Sequence, residues 1–499
     1  MTRSCTIPLA LAIGVALAAS LAPAQINSAP GHAVASSAPA PGSAPVERGD
    51  IRSFTLSPVA PPTPVLKYRF DYEAYERTAG DAAPIYLEAM LVLANTSREQ
   101  SEATEKAVEE LLDLSDAHDT RQYLERGNTL FRTPPAWYDM LRVASRRDTV
   151  NWSFPIREQG MATLLPHLNR ARTIANYLRV RAEYEALTGK HIEAIDTIRT
   201  GILFGRHIGE GGLLVNALVG IGIGAADMNA LETVMNTPGS PNLYWALTGL
   251  PRPLFDLRNA TEHEGLSMLY EVPGVQRYAR GEQLAPEDWK RLIDDVAEVA
   301  SKYGVGGKEP SRAQRQLGTA ALLMMTLPDA REYYARTRKL PAEAVEQLDP
   351  FEVCGPYMLE PFINMNQRAR AYMALPYPQM QARLAELRNE IQGLAKSTDA
   401  TLPMMLYSML LPSYERAAET FMRLDRTVAA LATVEALRSY AAAHNGQLPA
   451  TLDAITDTPA LPNPRTGQPF TYNVQNGVAT LSDNEPKDYP LKYEVRIRR

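Results

Sequence analysis

Glu262-His263-Glu264 is the densest run of groups able to move a proton or ligate an ion in this chain. Two carboxylates flanking an imidazole have the residue types of an acid–base pair or a metal site. On a helix, however, adjacent residues point in different directions, so these three side chains would not converge on one atom. The seven histidines, His32, His118, His167, His191, His207, His263 and His444, are spread thinly, and none forms a His-x-x-x-His pair. Cys354 sits among Val353, Gly355 and Pro356, which offer neither a base nor a positive charge, and it reads as a buried structural thiol. No Gly-x-Ser-x-Gly elbow and no phosphate loop occur. Gly220-Ile-Gly222-Ile-Gly224 imitates a dinucleotide fingerprint, but no strand precedes it and the glycines lie within a helical pattern. They are expected to let another helix approach closely. The carboxylate pairs Glu109/Glu110 and Asp294/Asp295 have the types a glycosidase needs, and equally those of a wet surface. Asp483, Asn484, Glu485 and Asp488 are oxygen ligands by type, yet Pro486 and their spacing fit no calcium loop. Catalytic residues therefore stay unassigned, and neither a cofactor nor a metal is expected.

The elements around these residues are mostly helices. With 499 residues, 45% hydrophobic and 22% charged, the chain has the composition of a globular protein with more than one folding unit. A net charge of −6, with arginines scattered among acids, leaves no basic stripe for nucleic acid. Met1-Thr-Arg3, an apolar run from Ile7 to Leu21 and Ala22-Pro-Ala24 have the layout of a cleaved secretory signal over 1–24. The run is short for a membrane span, and an uncleaved anchor is the alternative. Cys5 would leave with that leader, so Cys354 has no partner for a disulfide. Residues 25–65 are Ala/Pro/Ser-rich and read as an extended linker.

Apolar spacing predicts helices over Ala83–Ala94 and Glu102–Leu114, then a helical hairpin from Leu168 to His207 that turns at Gly189. Ala182, Gly189 and Ala194 sit where tetratricopeptide-type hairpins keep small residues, although the aromatic positions of that repeat are not filled. Helices follow at Gly212–Met235 and Asn242–Leu250, and a soft spot at Gly304–Gly307 marks a subdomain boundary. Beyond it the prolines Pro328, Pro341, Pro350, Pro356, Pro361 and Pro376 are expected to delimit helices at Ser311–Leu327, Asp329–Arg338, Glu360–Ala374 and Pro378–Lys396. Met404-Met405-Leu-Tyr-Ser-Met409 reads as adaptable core. The last helix, Ser413–His444, carries Leu424, Val428, Leu431, Val434, Leu437 and Ala441 on one face.

A small sheet closes the chain. Asn476-Gly477 is a two-residue hairpin signal between Phe470–Gln475 and Val478–Asp483, and it pairs Tyr472 with Leu481 and Val474 with Ala479. Phe470, Tyr472, Val474, Ala479 and Leu481 then share one face. Leu491–Ile497 supplies a third strand, and the sheet must lean on the final helix to be stable. The order of helix, His444-Asn-Gly-Gln-Leu-Pro449, Asn463-Pro-Arg-Thr-Gly-Gln-Pro-Phe470 and strands resembles the globular tail of type II secretion pseudopilins over about the last 85 residues. The amphipathic Ser413–Leu437 lacks the apolar anchor of a pilin subunit, so polymerisation is not implied. The whole chain also resembles secreted, mostly helical proteins of unassigned function from planctomycete bacteria, through Asp81-Ala-Ala-Pro-Ile-Tyr-Leu87, Leu164-Leu-Pro-His-Leu168 and Pro241-Asn-Leu-Tyr-Trp-Ala-Leu-Thr-Gly-Leu-Pro251. That resemblance lends no catalytic residues.

The expected fold is mainly α, with helical hairpins in a TPR-like or irregular superhelical array and a small antiparallel β module. The expected organisation is a helical domain over 66–303, a second helical region over 304–412 and a helix-plus-sheet module over 413–499. Function divides three ways: an exported, non-enzymatic scaffold or binding protein of the cell envelope, periplasmic or secreted, with a protein or envelope partner; an accessory component of a type II secretion or pilus-like system; or a cell-envelope hydrolase. The observation that would best choose among them is whether a polar pocket lies on the 165–260 helical surface.

Overall fold

The computed structural model describes residues 51–156, 163–262, 272–302, 311–395, 402–483 and 490–498. The protein is mainly helical with a small mixed sheet. The chain enters as strand β1 (Arg52–Leu56) and reaches β2 (Thr78–Asp81), which leads into helices α1 (Ala83–Ala94), α2 (Arg98–Asp116), α3 (Thr120–Leu130) and α4 (Ala136–Ser145). Strand β3 (Arg147–Thr149) pairs in parallel with β2, a contact that no sequence pattern announces. Helices α5 (His167–Leu187), α6 (His191–Gly209) and α7 (Leu214–Asn236) follow, packed mutually as a sheaf. Gly189 ends the first of these turns at a φ of +78°, where the sequence places the break. Across α6 and α7, a Cβ on Gly220 would lie 2.4 Å from the Gly205 carbonyl oxygen, so this glycine does permit close approach, whereas Gly222 faces open space.

A short α8 (Tyr244–Thr248) precedes α9 (Pro273–Ala279), α10 (Pro286–Lys302), α11 (Arg312–Arg338), α12 (Ala342–Glu346), α13 (Pro350–Tyr372) and α14 (Tyr377–Ala395). Three expected breaks do not occur. Pro328 lies inside α11, and Pro356 and Pro361 lie inside α13, so the two helices expected around Pro328 are one, and α13 starts at Pro350. An interior proline costs about 3 kcal/mol in an isolated helix. Burying Val353, Met358, Leu359, Phe362 and Met365 offsets more than that, at about 1.5–3 kcal/mol each. The soft spot at 304–307 lies outside the described residues. The other expected boundary, at 412/413, falls within one unbroken helix, α15 (Leu402–Ala443). The backbone of Met404–Met409 is helical there.

After α15, Asn445 and Gly446 both take positive φ and turn the chain toward β4 (Thr471–Gln475), β5 (Val478–Asp483) and β6 (Leu491–Ile497). β4 and β5 pair in the register set by Asn476 and Gly477, whose φ values of +52° and +76° suit the tight hairpin turn. The sheet differs from expectation in having a fourth strand. β1 lies parallel to β6, with Phe54 opposite Val495, giving the order β1-β6-β5-β4. Residues 52–56 are therefore not linker. Phe54 and Leu56 alternate into the core, and the Phe54 ring meets the Tyr493 ring edge-on at 5.2 Å. The end of α7 holds this corner together: Glu232 accepts from Arg52 at 2.5 Å and from the Tyr493 hydroxyl at 2.9 Å.

Two hydrophobic cores result. One gathers α1–α5 with parts of α6 and α7 around Tyr86, Trp137, Trp152 and Phe204. In it the His207 Nδ1 faces the Tyr86 hydroxyl at 2.9 Å, while His167 stacks on Phe154 and Trp152 at 4.6 and 5.1 Å. Burial lowers both imidazoles to about 4. The other core surrounds α15, which touches α7, α8, α13, α14 and β6. Its centre is a fully buried Arg438. This guanidinium donates to the carbonyls of Ser57 (2.7 Å), Ser240 (2.6 Å) and Pro241 (3.1 Å) and pairs with Glu435. It thereby ties the segment after β1 and the bend before α8 onto the final helix. One helix among the described residues, α7, is long and apolar enough to cross a membrane, and 67% of its apolar window is buried within the protein.

Candidate functional site

A cleft of about 650 Å³ runs beside α13. Glu352, Pro356, Glu360, Ile363, Asn364 and Gln367 line it from that helix, at spacings of three and four that put them on one face. Tyr278 from α9 and Trp289 from α10 form an apolar side, and Tyr334 and Arg338 arrive from the last turns of α11. Trp289 reaches its place because α13 has no side chain at Gly355. A Cβ there would lie 2.1 Å from the indole Cε3. The Tyr278 and Trp289 rings meet edge-to-face at 4.7 Å.

Glu360 fixes the geometry. Its carboxylate accepts from the Tyr278 hydroxyl at 2.5 Å, the Tyr333 hydroxyl at 2.6 Å and Arg338 at 2.5 Å. Arg338 also donates to the Tyr278 oxygen at 3.1 Å. Burial pushes the Glu360 carboxyl up, but the two hydroxyls and the guanidinium outweigh it and hold the group below the usual range. Burial and the Glu360 charge raise both tyrosines well above theirs. Neither Glu360 nor these phenols is poised to exchange protons near neutral pH. The network instead locks the Tyr278 and Tyr333 rings beside a polar cleft.

A second depression, about 690 Å³, shares Gln367 and continues along α13 past Arg370 to Asp256, Asn259 and Glu262. Its charges pair internally: Arg258 with Asp256 at 2.5 Å and Arg370 with Glu262 at 2.7 Å. The cleft thus lies mainly on residues 278–367, and the 165–260 surface contributes only the rim of this second depression.

The residues singled out in the sequence do not meet. Glu262 is committed to Arg370, and His263 and Glu264 lie outside the described residues. His167 and His207 are core, His444 stacks on Tyr440, and His191 faces the Pro238 carbonyl. His118 is exposed in a left-handed turn, and His32 lies outside the described residues. Cys354 is buried beside Thr326, and burial raises its thiol. Glu110 pairs with Arg126, while Asp294 and Asp295 lie along α10. Asp483 binds Arg426 and Asn463, and Asn484, Glu485 and Asp488 lie outside the described residues. Among the described residues no three His, Cys, Asp or Glu side chains group to hold a metal ion. The cleft residues escaped sequence reading because they come from four helices. One signal was present: the recurrence of Glu352, Pro356, Glu360, Asn364 and Gln367 along a single helical face, once Pro356 and Pro361 are accepted inside the helix. No protein-family model, no curated protein and no solved structure matches the chain.

Proposed function

We propose that the chain is an exported, non-enzymatic binding protein of the bacterial cell envelope that takes its ligand in the cleft along α13. The carrying observation is the saturated Glu360 carboxylate. Its hydrogen bonds pre-organise Tyr278 and Tyr333 while using up the acid at the middle of the cleft's long helix. Aromatic walls with convergent amides and carboxylates suit a polar organic ligand or a partner's side chain. Export rests on the layout of residues 1–24.

The full chain, exported through its own leader and immobilised, is challenged with envelope extract. Retained material is eluted and compared by mass with the input. Native protein is expected to retain a ligand chemically unchanged, and Tyr334→Ala to lose it while keeping a cooperative, native-like unfolding transition. A ligand recovered cleaved would replace this reading with an envelope hydrolase. Retention unaffected by Tyr334→Ala would place binding elsewhere.

A further inference from the structure

We infer that the ligand of this cleft carries an organic cation, an ammonium or guanidinium on an apolar arm, and that Glu352 supplies its counter-charge. The inference rests on the binding reading above and adds the sign of the charge. Four charged side chains line the cleft: Glu282, Arg338, Glu352 and Glu360. Arg338 is spent on Glu360 at 2.5 Å. Glu282 is paired with Arg277 at 2.6 Å. Glu352 alone has no ion-pair partner among the described residues, so the cleft presents one uncompensated negative charge.

The surroundings fit the same class. The Tyr334 ring already carries a guanidinium on one side, with Arg338 Cζ 5.3 Å from its centroid, so this wall is built to stabilise positive charge through its π face. Trp289, Pro356 and Ile363 supply apolar contact for an aliphatic stem. Asn364 and Gln367 can accept the hydrogen bonds that an ammonium or guanidinium must donate. An anion would face an unpaired carboxylate with the only lining arginine engaged. Glu352 also lies in the first turn of α13, where the helix dipole favours a negative charge.

Four probes of one shape separate the charge from the apolar contact: hexylamine, hexyltrimethylammonium, hexanol and hexanoate, titrated by ligand-detected NMR against the full chain. A blocked lysine tripeptide serves as the protein-borne version of the same cation. Both ammonium probes should bind about tenfold more tightly than hexanol, and hexanoate more weakly than either. Glu352→Gln should abolish the tenfold preference and leave hexanol binding intact. Glu352→Lys should turn the preference toward hexanoate. Tripeptide binding tighter than hexylamine assigns the cation to a partner protein, and the reverse assigns it to a small amine. Equal affinity for hexylamine and hexanol, or a preference that survives Glu352→Gln, sinks the inference while leaving the cleft as a binding site. Binding of none of the probes removes the binding reading, and this inference with it.

Discussion

The core of the first helices and the core around α15 differ in what their buried polar groups hold together. In the first, neutral rings fill the centre: His207 faces Tyr86, the Trp152 indole donates to the His207 carbonyl at 2.7 Å, and His167 lies flat on two rings, while its buried charges, Glu183 with Arg179 and Glu185 with Arg181, are pairs within the single helix α5. In the second, full charges are taken inside and surrounded: Arg438 with Glu435, and Arg426 with Asp483. The neutral arrangement imposes little desolvation cost but fails once a proton arrives. The ionic one needs every partner in place, and in return it holds distant segments in register. The two regions should therefore respond differently to mutation and to acid.

Arg438→Ala should have the largest effect. It leaves Glu435 buried and unpaired, and it frees the carbonyls of Ser57, Ser240 and Pro241. A loss of about 3–5 kcal/mol is expected in urea unfolding, with Arg438→Lys recovering only part. A loss under 1 kcal/mol would mean that the charges hold nothing together, and the contrast between the cores would collapse.

Acid comes next. His167 and His207 titrate near 4 when folded and near 6.5 when unfolded, so their neutral forms stabilise the native state above pH 6.5. That contribution, about 2–3 kcal/mol each, is lost as the pH falls from 6.5 toward 4. Carboxyls around α15 act with the other sign. Burial raises Asp425 to about 6 and Glu435 to about 7. What they contribute is present at low pH and lost as the pH rises through those values. Hydrogen exchange, corrected for its intrinsic pH dependence, should show α5 and α6 losing protection between pH 6.5 and 4.5 while the α15 segment gains it from pH 7 to 5. Parallel change in both would erase the distinction.

The smallest effect sharpens the comparison by touching neither core. Gly477→Ala forces a side chain onto a φ of +76° with nothing nearby to clash. It should cost about 1 kcal/mol, leave the pH response of both regions unchanged, and show as a small fall in melting temperature.

The legible parts of the fold were those coded locally. Asn476-Gly477 sets a register that the alternation of Tyr472, Val474, Ala479 and Leu481 independently supports, so turn and pattern give one answer. Gly189 and the spacing of Ile195, Ile198 and Ile202 likewise suffice for the α5–α6 hairpin. What was missed depends on distant partners. Phe54 and Leu56 make a strand only because β6 lies beside them, and the Pro-rich surroundings masked their two-residue alternation. Pro328, Pro356 and Pro361 look like helix ends in the sequence because their local cost is plain and the packing that offsets it is not. The cleft was hidden for the same reason. Glu360 has no local signature, and its three donors stand on α9 and α11.

The parallel pairing of β1 with β6 also constrains how the chain comes into being. β1 leaves the ribosome well before its neighbour β6; at ordinary translation speeds the interval between them is on the order of half a minute to a minute. Throughout that wait, Phe54 and Leu56 have no docking place, and the anchor points that Arg438 offers do not yet exist. The sheet, and the tie that Arg438 makes to the segment after β1, can therefore close only once β6 and α15 have both been made.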